Sequence, residues 1–361
     1  MAELVVKSDD IIENVEKLNK YLDKHNVTWT LVVKVLSGHQ EFLEKLLFHP
    51  VVKGLHSVGD SRTSGLKIIK DINPDIVTMY VKPPAMDTIE DIVTYADISL
   101  NSSYRTIEAL NAEAGRQGKK HRVIIMIELG ELREGILRDK VIEFYKRVFD
   151  LENIVIEGIG TNLGCMYGIQ PTYDKLVQMS LYKQLIDAKF NTNLPIISGG
   201  SSISLPLVGK SAMPKNINHL RIGETAFLGI SPFDGEIFLD LSTEAFEYLG
   251  NVIELELKET SPDGIVTDGN IGHTADDFDW DYSYRAILDF GILDVDVHEL
   301  IPKDKEIRFA GTTSDMSVYD LGPVDKRKKC RYKVGDKVRF SPSYMAVARL
   351  MNSKFIDKTI L

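Results

Sequence analysis

Apolar and polar positions run along this chain with two alternating periods. Between Ser8 and Asn26, Ile11, Ile12, Val15, Leu18 and Leu22 fall at helical spacing behind a serine suited to an N-cap, which predicts an amphipathic helix. Trp29 to Leu36 is then an almost unbroken apolar run, as expected of a strand buried in a parallel sheet. The strand–helix pair recurs. Strands are predicted at 27–36, 55–58, 75–80, 97–100, 122–128, 154–160, 194–198 and 219–222. Helices follow at 40–49, 61–71, 86–95, 102–117, 137–149 and 171–190, with short ones from about Ser202 and after Gly223. Eight βα units over about 230 residues are what a closed (β/α)8 barrel needs, and an open doubly wound sheet is the alternative. After about residue 236 the texture changes to glycines, prolines and short alternating strands around 251–257, 285–288, 306–309 and 337–340. Turn signals such as Pro262-Asp263-Gly264 separate them. The predicted architecture is an α/β barrel over 1–235 followed by an all-β domain over 236–361.

Composition narrows the class. A chain of 361 residues with 43% hydrophobic and 27% charged residues is an ordinary globular protein, long enough for two cores. The net charge of −10 argues against nucleic acid or an anionic membrane surface as partner. No signal-peptide pattern and no bilayer-length apolar run is present in the sequence. Cys165 and Cys330 form neither a disulfide framework nor a metal-ligand spacing, so no metal is expected and a reducing cytoplasm is the natural compartment.

In such barrels the chemistry sits at the C-terminal ends of the strands. The first strand carries Lys34. A lysine inside so apolar a strand is costly to bury unless paired, and a desolvated amine is the nucleophile a Schiff base needs; the bland alternative is a lysine that snorkels to water. The fifth strand ends in Glu128-Leu129-Gly130-Glu131-Leu132-Arg133-Glu134-Gly135, and the sixth in Gly160-Thr161-Asn162. The seventh ends in Ser198-Gly199-Gly200-Ser201-Ser202 and the eighth in Arg221-Ile222-Gly223-Glu224. Glycines and serines after strands seven and eight suggest a nest of N–H groups for a phosphate. A phosphorylated cofactor that also takes a Schiff base is pyridoxal phosphate.

On these residues the chain resembles the fold-type III pyridoxal-phosphate family, typified by alanine racemase and the eukaryotic ornithine decarboxylase, and within it the alanine/ornithine racemase subgroup. Val32-Val33-Lys34 is similar to the cofactor-lysine strand, Ile127 to Gly135 to the pattern D-T-G-M-x-R-x-G, Arg221-Ile222-Gly223 to R-x-G, and Ser198 to Ser202 to the phosphate-side turn. The resemblance spans nearly the whole chain. It implies that Lys34 holds the cofactor and acts as one acid/base at the substrate α-carbon, and that Arg221 donates to the pyridine nitrogen. It further implies Arg133 near the phenolic oxygen or the substrate carboxylate, with pairing to Glu131 or Glu134 as the plain alternative. Ser201, Gly223 and Tyr344 would ring the phosphate, and Asn162 stands where alanine racemases usually have a histidine. A head-to-tail homodimer with shared active sites is implied as well.

Two departures bear on the chemistry. The segment matching the family's catalytic tyrosine loop, G-Y-x-D-G, is Gly291-Ile292-Leu293-Asp294-Val295, and Ile292 cannot move a proton. The second acid/base is therefore sought among Asp294, Asp315, His273 and a relocated tyrosine such as Tyr284. The lysine carbamylated in some alanine racemases corresponds to Met126. Gly311-Thr312-Thr313-Ser314-Asp315 is similar to the G-P-T-C-D turn of ornithine decarboxylase, in which the aspartate approaches the distal amine. Asp315 keeps that charge, a strong selector for a terminal ammonium. Ser314 in place of cysteine leans away from decarboxylation. The expected function is racemisation of a basic amino acid, ornithine before lysine. A decarboxylase of the same fold and a non-catalytic cofactor-binding regulator are the alternatives. The acidic run Asp276 to Asp281 reads as a solvated loop.

Overall fold

The computed structural model describes residues 1–210, 212–265, 272–274, 281–323 and 330–361, so five residues of the acidic run, 276–280, lie outside it. The chain forms two compact units, Asp10–Thr243 and Met1–Asp9 with Glu244–Leu361.

In the larger unit eight parallel strands close a barrel in sequence order: Thr28–Val32, Ser57–Asp60, Thr78–Tyr80, Ile98–Asn101, His121–Met126, Ile154–Gly160, Ile196–Ser201 and His219–Ile222. Closure pairs the first strand with the eighth, Thr30 opposite Arg221. The strands are short and rich in valine and isoleucine because both their faces are covered. Met79, Ile98, Leu100, Ile124, Met126 and Ile196 form one buried cluster across neighbouring strands. Each such side chain contributes roughly 1.5–3 kcal/mol of burial. Around the barrel the helices bury the stripes that their periodicity marks. In Ser8–Lys24, Ile11, Val15, Leu18 and Leu22 are fully buried. Tyr173–Phe190 begins at Thr172, whose hydroxyl accepts from Lys175 N at 3.3 Å, and ends at Asn191 in the left-handed region. No helix among the described residues is long and apolar enough to cross a membrane.

The barrel unit departs from the sequence expectation in two places. The first strand stops at Val32, and Lys34–Leu36 is a 3-10 turn closed by Ser37 N on Lys34 O at 3.2 Å. Val35 and Leu36 are buried through that turn, so apolarity alone could not separate it from more strand. The unit also ends at Thr243 rather than 235. Residues 236–243 stay with the barrel because Asn14 exchanges two hydrogen bonds with Ser242, 2.7 and 2.9 Å, and Lys17 pairs with Asp240 at 3.0 Å.

Among the described residues, the smaller unit is a nine-stranded, mostly antiparallel sheet. Its spine is Phe246–Glu259, which pairs with Glu3–Val6 and Lys337–Pro342 through its first half and with Tyr282–Leu288 through its second. A register shift between Val252 and Glu254 lets one strand serve both partners. An aromatic core of Tyr248, Phe290, Tyr319 and Phe340 packs with centroids 5.0–6.4 Å apart. Two features correct the expectation of an all-β domain confined to 236–361. Glu3–Val6 belongs to its sheet, in parallel with Asp357–Ile360, and Tyr344–Asn352 is a helix capped by Ser343, whose hydroxyl accepts from Ala346 N at 3.2 Å.

Candidate active site

The C-terminal ends of the barrel strands gather Lys34, Arg133, Asn162, Ser201, Arg221 and Gly223 at one end of the larger unit. Lys34 is exposed, which corrects the expectation of a buried amine. The 3-10 turn lifts it out of the strand, and its side chain has no hydrogen-bond or ion-pair partner among the described residues. It lies in the field of two carboxyls. Asp60 is raised by burial, opposed by the N–H groups of Arg62 and Ser61, by Arg62 and by Lys34. Glu224 is raised by burial and opposed by Lys34.

Arg221 is the buried cation of the mouth, 6% exposed. Its Nη2 donates to Thr161 O at 2.8 Å and its Nη1 to Ser198 Oγ. Burial pushes the guanidinium down to about 10, which still leaves it charged at neutral pH. Two bonds leave three of its five N–H donors for a ligand.

The loop after the fifth strand is built around its glycines and carboxylates. A Cβ on Gly135 would lie 2.4 Å from Glu128 N, at a φ of +148° that side chains avoid, so the loop can return against its own strand only through glycine. Arg133 forks onto Glu134, one of the two neighbours named for it as pairing partners. The same guanidinium also reaches Cys165 Sγ and, with the Asn162 amide turned to offer its oxygen, Asn162. Burial raises the Glu134 carboxyl, but Arg133 and, from further off, Arg221 outweigh it and hold the group low.

Glu131, which the sequence offered only as a pairing partner for Arg133, instead holds a loop. This side chain is 2% exposed, and its carboxylate accepts from Gly164 N, Cys165 N, Tyr167 N and Ile169 N at 2.8–3.2 Å. It ties the loop after the sixth strand to the loop after the fifth. The only local signal was a glutamate between two other glutamates.

Near the end of strand seven, Gly200 has a φ of +126°, and a Cβ there would meet Ser204 Oγ at 2.5 Å. Beside Ser201, Ser202 Oγ accepts from Gly223 N and Thr225 N at long distances of 3.4 and 3.3 Å. Thr225 Oγ1 is buried and has no partner among the described residues. A buried hydroxyl without a partner costs about 1–3 kcal/mol, and this one leaves a donor open at the barrel mouth.

The smaller unit holds the remaining candidates. Ile292 N donates to Thr313 O at 3.0 Å and Leu293 N to Ser314 O at 2.9 Å, so two segments singled out separately in the sequence lie side by side. Gly291 makes that approach feasible, because a Cβ would sit 2.6 Å from Asp315 N. Asp315 is exposed at the turn tip and accepts from Ser314 Oγ at 3.1 Å. Asp294 caps its own turn through Gly291 N at 3.1 Å and is raised by burial, with Asp289 and Asp315 adding to the rise. His273 pairs with Thr312 at the sheet edge, Tyr284 lies mid-strand in Tyr282–Leu288, and Tyr344 opens the helix Tyr344–Asn352.

A closed parallel barrel carrying an amine at strand one, an arginine at strand eight and a hydroxyl-lined cradle between strands seven and eight defines a class of barrel enzyme. The chain belongs to the alanine racemase N-terminal domain family, which matches residues 6–232. That family is pyridoxal-phosphate-dependent. The chain is 33% identical to an ornithine racemase of Acetoanaerobium sticklandii, covering 99% of both chains. It is 30% identical to a lysine racemase of Thermotoga maritima, covering 98% of this chain and 97% of the relative. Its fold is that of the alanine racemase from Bartonella henselae solved with covalently bound pyridoxal phosphate, with a TM-score of 0.72, 14% identity, and coverage of 100% of this chain and 99% of that one.

Proposed function

We propose that the protein is a pyridoxal-phosphate-dependent racemase of a basic amino acid, ornithine first and lysine second. The observation that carries this reading is the barrel mouth, where an unpartnered lysine amine, a buried arginine with free donors and a cradle with an orphan hydroxyl share one end of the barrel. The donor set fits the cofactor: an amine for its carbonyl, a guanidinium for its ring and hydroxyls for its phosphate. The names of the full-length relatives supply the substrate class.

When bound, pyridoxal phosphate supplies an electron sink that acidifies the substrate Cα–H bond. Lys34 would hold it through Nζ, and the same amine would carry a proton on one face of Cα. Arg221 can only donate, so it would keep the ring nitrogen unprotonated and the sink moderate, which favours returning a proton over other fates. Ser201, Ser202, Gly223 and Thr225 would take the phosphate, with Tyr344 assigned to it by resemblance alone. Arg133 and Asn162 would face the substrate carboxylate or the phenolic oxygen. For the opposite face of Cα we assign Asp294, raised by burial, as the proton carrier, with Asp315 the alternative. Asp315, exposed at its turn, is assigned first to the distal ammonium. A head-to-tail homodimer would bring these carboxyls to a partner's barrel mouth. A reducing compartment suits Cys165 and Cys330, which are both free thiols.

The test is to incubate the holoprotein in D₂O with L-ornithine, L-lysine and L-alanine and to follow α-hydrogen exchange, chirality and CO₂. Racemisation with deuterium incorporation is expected for ornithine. CO₂ release without inversion would turn the assignment to a decarboxylase. Tight cofactor binding without any exchange would make the protein a non-catalytic carrier.

A further inference from the structure

Arg221 is tethered to a line of hydrogen bonds that runs between strands. Ser198 Oγ lies 2.8 Å from His219 Nδ1, and His219 Nε2 lies 3.0 Å from Thr30 Oγ1. Thr30 Oγ1 is 2.8 Å from Ser57 Oγ, and Ser57 Oγ is 3.2 Å from His56 Nδ1. His56 Nε2 then faces Glu157 Oε1 at 3.7 Å, and Arg122 Nη1 donates to the same oxygen at 3.1 Å. Thr30, Ser198 and His219 are fully buried and Ser57 nearly so. His219 and Arg221 stand two apart on one strand and therefore face the same side.

The donor order can be worked out from one end. A guanidinium only donates, so Ser198 Oγ accepts from Arg221. The Ser198 proton is then free for His219 Nδ1, which leaves the imidazole proton on Nε2, aimed at Thr30. Burial keeps the ring neutral. Thr30 passes its proton towards Ser57 rather than to the weak acceptor Met79 Sδ at 3.6 Å. Ser57 donates to His56 Nδ1, and His56 Nε2–H points at the carboxylate. In this direction every hydroxyl and ring nitrogen has a role. With the opposite tautomer, Ser198 would accept from both Arg221 and His219 and its own buried proton would lose its acceptor, which is unfavourable away from water.

We propose that His219 is a positioning residue: held as the Nε2–H tautomer by this line, it fixes the Ser198 hydroxyl as an acceptor and so aims the free edge of Arg221. The catalytic consequence rests on the reading that Arg221 faces the cofactor ring; the tautomer does not. Supporting groups around a functional cation or ligand typically matter by about 10–100-fold.

Three variants and one spectrum test it. Nitrogen-15 NMR of the protein should show His219 with Nδ1 unprotonated and Nε2 protonated; the reverse overturns the proposal whatever the cofactor. His219→Gln keeps a group near Nε2 and loses the Nδ1 acceptor. In the holoprotein it should shift the bound cofactor's absorption band and lower kcat by about 10–100-fold with KM within about twofold. His219→Asn keeps an acceptor near Nδ1 and should recover most of that loss. Should either fail to fold, Ser57→Ala cuts the line two hydroxyls away and should still loosen the tautomer and move the absorption band. Variants that lower thermal stability alone, with band, kcat and tautomer unchanged, would reduce His219 to packing. Absence of any cofactor on Lys34 would instead remove the functional reading and leave the tautomer result standing.

Discussion

Replacing Glu131 by glutamine should open the loop that borders Arg133. Each carboxylate oxygen accepts two backbone N–H groups, Cys165 and Tyr167 on one and Gly164 and Ile169 on the other. Glutamine keeps one acceptor oxygen and turns an amide NH₂ towards the other two donors. Two charge-assisted bonds at about 1.5–3 kcal/mol each are lost, and the remaining two become neutral ones worth about 1 kcal/mol less each. The loop can relax towards water, so the net local cost is about 3–5 kcal/mol, in line with breaking a buried charged network. By the relation of 1.4 kcal/mol per decade, amide hydrogen exchange at these four residues should accelerate by about 100–5,000-fold. Burial raises the Glu131 carboxyl, but the N–H groups of Tyr167, Cys165, Ile169 and Met166 outweigh it, and the net is a carboxyl below its ordinary 4.5. Its contribution is therefore complete above about pH 4.5 and fades as the pH falls through the lower folded-state value. Protection in the wild type should follow that fall, whereas in Glu131→Gln it should not. An increase in exchange below about tenfold, or the same acid dependence in the variant, would refute this account.

Asp315→Asn should lower kcat/KM for ornithine by roughly 2–4 kcal/mol and leave alanine nearly unaffected, since alanine has no distal amine; equal losses would discard the specificity role. Thr225→Val removes a buried hydroxyl that has no partner among the described residues. It should leave apoprotein stability unchanged or higher while weakening pyridoxal phosphate binding by about tenfold in a fluorescence titration, and unaltered affinity would take Thr225 out of the cradle. Borohydride reduction of the holoprotein should place the cofactor on the Lys34 peptide by mass spectrometry, and Lys34→Ala mixed with Asp315→Ala should regain activity if subunits share sites; label on another lysine, or no regain despite subunit exchange, would count against these assignments. Gly135→Ala should destabilise the barrel unit by about 1–3 kcal/mol in urea denaturation, because its Cβ has no room beside Glu128 N.

The barrel was legible from the chain because its signals are local. Each strand is a short apolar run, each helix shows a stripe such as Ile11, Val15, Leu18 and Leu22, and eight repeats in order leave few topologies. The positions of Lys34, Arg133, Asn162, Arg221 and Gly223 followed, since a strand's end can be read from its own sequence. What could not be read depends on distant segments. The four residues Glu3–Val6 carry no periodicity to speak of, and only pairing with Phe246–Glu259 and Asp357–Ile360 makes them a strand of the smaller unit. Whether Val33 to Leu36 continue a strand or turn was decided by backbone bonds, and that turn leaves Lys34 exposed. Glu131 was one glutamate among several until the loop beyond strand six delivered four N–H groups to it. Thr30, Ser57, Ser198 and His219 lie as much as 189 residues apart, and Ser198 stood out only as the start of a turn; barrel closure lines up their hydroxyls and ring nitrogens beneath Arg221. Periodicity and turn chemistry act between near neighbours in the chain, whereas hydrogen-bond partners for buried polar groups are supplied by whatever the fold brings within 3 Å.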